Sequence, residues 1–271
     1  MKVWILLTAG IIFTAGCSMP PKIDFGSQNA DPPSPVRIAE KLEKRKAAAQ
    51  SFALRAEGKY KSDSLSGDVT ANLYFNSIRS IAVQLKSIMG TMIIAGSGQD
   101  KIWYKSYKGK DKACYIFPRS IADQCSVIGG LSGIKPEIML GFIPPNTIRQ
   151  SDMVYSEGRW YFEDKSSSGE YAKYSFNSES LLPQSIEIYR NARLAVSIVL
   201  PSYTKLKKDF EVPDVIQIQT DQDNAFIHLK TDKLKLFNFS DQMKKRFFSL
   251  PESDKYFRLD ENCSFSPYTP N

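Results

Sequence analysis

The chain of 271 residues carries one histidine and four cysteines. Nucleophilic, acid–base or metal chemistry would have to run through these or through its carboxylates. His228 lies in "AFIHLK", alternating with Ile227 and Leu229, which makes it a strand residue on the face opposite those two. A Ser/His/Asp site would need that one imidazole as its base, and nothing in the spacing brings a nucleophile to it. Glu57, Asp68, Glu163 and Asp164 are scattered over alternating polar faces, with no pair suited to acid–base work. "GSGQD" (96–100) lacks the strand-to-helix setting of a phosphate loop and reads as a hairpin turn. There is no C-x-x-C and no His/Cys cluster, so no structural zinc site is expected. These residues point away from an enzyme, and neither a metal nor a cofactor is expected.

Cys17 is the residue with a chemical setting. It follows one charge (Lys2), an apolar stretch from Val3 to Phe13, and the small residues Thr14-Ala15-Gly16. The apolar part is about 14 residues, whereas a spanning helix needs about 20, so residues 1–16 are expected to be a cleaved secretory signal. Thr-Ala-Gly-Cys resembles the bacterial lipobox, which implies a diacylglyceryl group on the Cys17 thiol and an acylated amine after cleavage. Two or three acyl chains hold a protein on a bilayer where one binds only marginally. Ser18 rather than Asp after the lipidated position implies the outer membrane. Residues 18–35 contain five prolines among Gly, Ser, Asn and Asp, a composition that forms neither helix nor ladder and acts as a tether.

With Cys17 so used, Cys114, Cys125 and Cys263 remain in an oxidising compartment. Three thiols allow one internal bridge. Cys114 with Cys125 is the first choice, and the other reading makes all three small buried hydrophobes. The formal charge of +7 is spread over 36 basic and 29 acidic residues. The basic runs "KLEKRK" and "KLKK" are brief and not interleaved with aromatics, so nucleic acid is not an expected partner.

The elements that must carry these residues are mostly strands. Ser34 caps, and Pro35 opens, a helix through about Gln50, with Val36, Ile38, Ala39, Leu42 and Ala49 as its apolar stripe. From Phe52 the period becomes two. Phe52, Leu54 and Ala56 share one face; Val69, Ala71, Leu73 and Phe75 another; Ile81, Val83 and Leu85 a third. Alternation stops between Arg119 and Phe142. Apolar helical spacing appears there in two pieces divided by Gly129-Gly130, with Ser132 able to cap the second and Pro144-Pro145 ending it. Strands then resume. About eleven strands in one sheet tend to curl, which predicts a mainly β (α+β) chain: an incomplete antiparallel barrel with an N-terminal helix and a central helical pair over its concave face. Residues 36–271 form a single domain in this reading, with a C-terminal extension from about 240.

That layout resembles the lipoprotein carrier and receptor fold of the LolA and LolB type. "YSFNSESLLPQSIEIY" is similar to the family's strand, Leu-Pro turn and strand; "LKSIMGTMII" to the receptor's segment with Pro-Leu-Gly between strands; "IMLGFIPPN" to its lid helix. The resemblance implies a cavity for acyl chains of a lipid or lipoprotein, lined here by Leu54, Leu73, Phe75, Val83, Leu85, Ile134, Ile138, Met139 and Phe142. It also implies a membrane-delivery loop at Ile88 and Met89, which the residues alone equally allow to be packed inside. A lid-locking arginine is implied too, for which Arg55 is the candidate by placement. The expectation is a lipid-anchored, non-enzymatic monomer on the periplasmic side of the outer membrane, engaged in lipoprotein transport. The alternative is an envelope assembly scaffold, docking a protein partner through the basic cluster and Phe247-Phe248 of the C-terminal extension.

Overall fold

A computed structural model describes residues 32–63, 66–107, 112–122, 135–156, 159–165, 170–221 and 224–270. Helix α1 (Pro35–Ala48) starts as its sequence dictates: the Ser34 side chain accepts from the Arg37 amide, and Pro35 occupies the first turn. Its buried stripe is Ile38, Ala39, Leu42 and Arg45, whereas Val36 is exposed.

Then follow β1 (Phe52–Lys61), β2 (Ser66–Ser77), β3 (Ser80–Ser87), β4 (Gly90–Ser97), β5 (Lys101–Ser106) and β6 (Ala113–Pro118). The helical insert shows as α2 (Arg119–Ala122), α3 (Pro136–Met139) and α4 (Pro145–Gln150). Ser132, Gly129 and Gly130 lie outside the described residues. Pro145 does not end a helix; it opens α4, because its missing N–H is one that a first turn leaves unpaired anyway. The second half holds β7 (Asp152–Ser156), β8 (Arg159–Lys165), β9 (Glu170–Phe176), β10 (Pro183–Arg190), β11 (Arg193–Val199), β12 (Tyr203–Lys207), β13 (Phe210–Pro213), β14 (Val215–Thr220) and β15 (Ala225–Leu236). It closes with α5 (Asp241–Phe248), β16 (Lys255–Leu259) and β17 (Phe265–Pro267).

Fifteen strands form one open sheet in the order β17-β16-β6-β5-β4-β3-β2-β1-β15-β14-β11-β10-β9-β8-β7, and β12 pairs with β13 apart from it. The fold is mainly β and unclosed, with helices against it, as the alternation predicted, but it has more strands than the expected eleven. Part of the excess is β16 and β17: β16 pairs in parallel with β6, far away in sequence, and its "KYFRL" is too short and charged to announce itself. β1 is the seam, joining the N-terminal half through β2 and the C-terminal half through β15. The β1–β15 register slips between Arg55 and Ala56, a bulge that bends the sheet.

Residues of β1 and β2 alternate as read: Phe52, Leu54, Ala56, Val69, Ala71, Leu73 and Phe75 are buried, with Arg55, Glu57 and Lys59 turned to the other face. The inner face merges with α1 and the insert into one apolar cluster. A smaller core joins Ile102 and Phe117 to Leu259, Cys263 and Phe265 of the C-terminal strands. The extension folds back: Phe247 stacks on Tyr74 of β2 at 4.1 Å, and Phe239 packs edge-on to Phe248 at 5.2 Å. Phe247 of the extension therefore packs on the chain's own sheet through Tyr74, while Phe248 packs on Phe239 and stays half-buried.

Candidate lid and apolar inner face

The residues expected to line a cavity come together as packed core. Leu54, Leu73, Phe75, Leu85 and Phe142 are buried in the main cluster, with Val83, Ile138 and Met139 packed against it. Ile134 lies outside the described residues. The cluster is ordered by rings: Phe52 stacks on Phe75 at 4.9 Å, Phe75 on Phe142 at 5.4 Å, and Phe210 tilts against both Phe52 and Phe75. Phe142 is the insert's contribution, lowered onto β2 by the turn after α3. That turn works because Gly141 takes φ +68°, a conformation in which a side chain would also strike the Tyr203 hydroxyl.

The residue that holds this turn is Arg45, not Arg55. Arg55 is on the outer face and pairs with Glu57 at 2.8 Å and Asp232 at 3.7 Å, as its alternation with buried neighbours requires. Arg45, 1% exposed, donates through Nη1 to the Gly141 carbonyl and through Nη2 to that of Leu140, both at 2.7 Å. Its Nε donates to the Glu211 carbonyl of β13 at 2.9 Å. The guanidinium lies over the Phe142 ring at 4.3 Å and that of Tyr203 at 5.5 Å. Burial lowers its pKa, with Tyr203 and the Glu211 carboxylate pulling the other way. Lys41 fixes that carboxylate at 2.7 Å. The planar five-donor fork suits this arrangement, since its three nitrogens each face a different carbonyl. A second arginine steadies α3: Arg119 Nη1 meets Glu137 at 2.8 Å, and its Nε donates to the Gly98 carbonyl. The signal for Arg45 was present, since it sits three residues after Leu42 and seven after Ile38 on the apolar stripe of α1.

Ile88 and Met89 form the two-residue turn between β3 and β4 and are 97% and 79% exposed, so they are not packed inside. His228 is exposed on β15, opposite buried Ile227 and Leu229. Among the described residues no three His, Cys, Asp or Glu side chains are grouped to hold a metal.

The predicted Cys114–Cys125 bridge does not form. Cys114 is free and buried on β6, beside Lys105 of β5 and near Tyr107, whereas Cys263 is disulfide-bonded. Cys125 and Cys17 lie outside the described residues. Burial pushes the Cys114 thiol up from 9.0 to about 12, with Lys105 pulling partly back. From about pH 9 to about 12 the unfolded chain therefore binds fewer protons than the folded one, so stability falls through that window. Tyr174 and Tyr203, raised chiefly by burial, act in the same direction. Denaturant midpoints are expected to drop steadily across this range while Cys114 resists maleimide until unfolding. A flat midpoint, or prompt labelling, contradicts this.

An open sheet, antiparallel but for the β16–β6 pair and wrapped on the Leu140–Phe142 turn and an N-terminal helix, is a LolA/LolB-like fold. No family model matches the chain, and no curated protein matches it. Among solved structures it is similar to a Vibrio parahaemolyticus domain described as an outer membrane lipoprotein-sorting protein. Identity is 14%, with 78% of this chain and 96% of that one covered at a TM-score of 0.50. It is also similar to a LolA superfamily protein from Nitrosomonas europaea, at 12% identity, 80% and 98% coverage and a TM-score of 0.50.

Proposed function

We propose that the chain is a lipid-anchored envelope protein that shelters acyl chains of a lipid or lipoprotein beneath the Leu140–Phe142 turn, without catalysis, as a step in lipoprotein transport. Residues 1–16 are the signal, Cys17 carries the acyl anchor on the periplasmic side of the outer membrane, and residues 18–35 are the tether. The observation that carries the reading is the Arg45 clasp. It holds the Leu140–Phe142 turn against an apolar face; in this reading the turn lifts, and parting Phe142 from Phe75 gives a surface where burial stabilises a hydrocarbon chain by about 25 cal/mol per Å². The lipoprotein-sorting and LolA-superfamily neighbours support the reading at the level of fold.

The test uses the chain from Ser18 onward, which retains every described residue. Native mass spectrometry and lipid extraction are expected to find a copurifying lipid, and a fluorescent fatty acid to bind; absence of both overturns the proposal. In the same reading the Ile88–Met89 turn enters the bilayer during delivery. Ile88→Asp with Met89→Asp is expected to leave thermal unfolding unchanged, since both side chains are exposed, yet slow transfer to vesicles about tenfold or more, because apolar burial on insertion is lost. Undiminished transfer removes that role.

A further inference from the structure

At the end of β3 away from Ile88, the β2–β3 turn, the β4–β5 turn, the end of α1 and Phe248 of α5 enclose a groove of about 650 Å³. Its cations are Lys46 and Arg79, and no carboxylate lines it. Both are exposed, and neither has an ion-pair partner among the described residues. A comparable groove on the outer sheet face, of about 740 Å³, sets Glu57, Asp68 and Asp232 among Lys59, Lys86 and Lys230, so its charges balance internally. The first groove has no such balance. Lys46 lies in the last turn of α1, where its full charge exceeds the roughly half negative charge of that helix end. The guanidinium of Arg79 adds a second.

The remaining lining completes a recognisable chemistry. Ser77, Ser80 and Gln99 bring side-chain hydrogen-bonding groups that have no partner among the described residues. Ile78 and Phe248 form an apolar wall beside them. Phe248 is held there by its edge contact with Phe239, and Ile78 packs against the main core, so the wall is fixed in place. Two cations with several neutral donors suit a phosphate, whose oxygens outnumber what one cation can satisfy. The adjoining wall suits an apolar substituent on it. We propose that this groove binds a phosphate ester of net negative charge whose organic part lies against Phe248 and Ile78, at a site separate from the lid. The C-terminal extension contributes to it directly, because α5 supplies Phe248, the aromatic part of the apolar wall.

The test titrates the chain from Ser18 onward, by calorimetry, with monomeric dihexanoyl phosphatidylglycerol, dihexanoyl phosphatidylcholine, glycerol 3-phosphate and inorganic phosphate. Phosphatidylglycerol is expected to bind, more weakly as salt rises. Lys46→Glu and Arg79→Glu should each weaken it about tenfold, the worth of a charge-assisted hydrogen bond, with thermal unfolding unchanged. Phe248→Ala should weaken the phosphatidylglycerol arm and spare glycerol 3-phosphate. If glycerol 3-phosphate binds as well as the lipid and Phe248→Ala alters neither, the apolar wall has no role and the proposal falls. It also falls if no phosphate compound binds, if phosphatidylcholine binds equally, or if the charge reversals are silent. Fatty-acid binding beneath the lid is untouched by these substitutions, so failure of either site leaves the other measurable.

Discussion

Arg45→Met is expected to destabilise the folded chain by about 3 to 5 kcal/mol, because the Leu140 and Gly141 carbonyls are buried and each loses its donor at about 1 to 3 kcal/mol. The Glu211 carbonyl and the contact with Phe142 are lost as well. Methionine preserves much of the side-chain bulk, so the loss measures the fork and not a cavity. Arg45→Lys keeps the charge but serves fewer of the three carbonyls, and should fall between wild type and Met. Guanidinium denaturation gives the size. Faster limited proteolysis near Gly141, together with quicker exchange of a bound fatty acid, ties the loss to the lid turn. An Arg45→Met midpoint equal to wild type would show that the three bonds do not hold the turn.

Gly58→Ala should be more damaging still. A Cβ there would lie 1.7 Å from the His228 carbonyl oxygen, 2.7 Å from its carbon and 3.0 Å from the Leu229 Cα, all backbone atoms of β15. No rotamer change relieves a backbone clash, so β1 and β15 must part, and that pairing is the seam between the two halves of the sheet. A loss above about 4 kcal/mol, seen as insoluble or unfolded chain, fits the class of large backbone effects. Gly67→Ala is the control: it sits one strand away with nothing within 4 Å of its Cβ position, and should be close to neutral. Equal behaviour of the two variants would mean that β1 does not approach β15 as closely as the structure has it.

Much of the candidate site was legible before any fold was known, because alternation along a strand decides which face a side chain takes. Leu54, Leu73, Phe75 and Leu85 were placed on the apolar faces of their strands by period alone, and they are buried together. The cap at Ser34 was equally local, a hydroxyl three residues from the amide it accepts. Arg55 shows where local reading stops. Its alternation with Leu54 and Ala56 already placed it outside, and only its position along the first strand made it a lid candidate. Ile88 and Met89 could be assigned to a turn, but their exposure depended on whether any other segment would cover it, and none of the described residues does.

What the amino-acid order determined by itself was therefore the short-range part: strand and helix periods, caps, turn residues, and the scarcity of catalytic groups. What only the tertiary structure decided were encounters across long stretches of chain. Arg45 meets carbonyls 95 and 96 residues away, β16 finds β6, Phe247 turns back onto Tyr74, and Cys114 stays unbridged. The physical reason is that φ/ψ preference and side-chain alternation act between neighbours. A hydrogen bond from a buried guanidinium exists only once the whole sheet has brought its acceptors within about 3 Å.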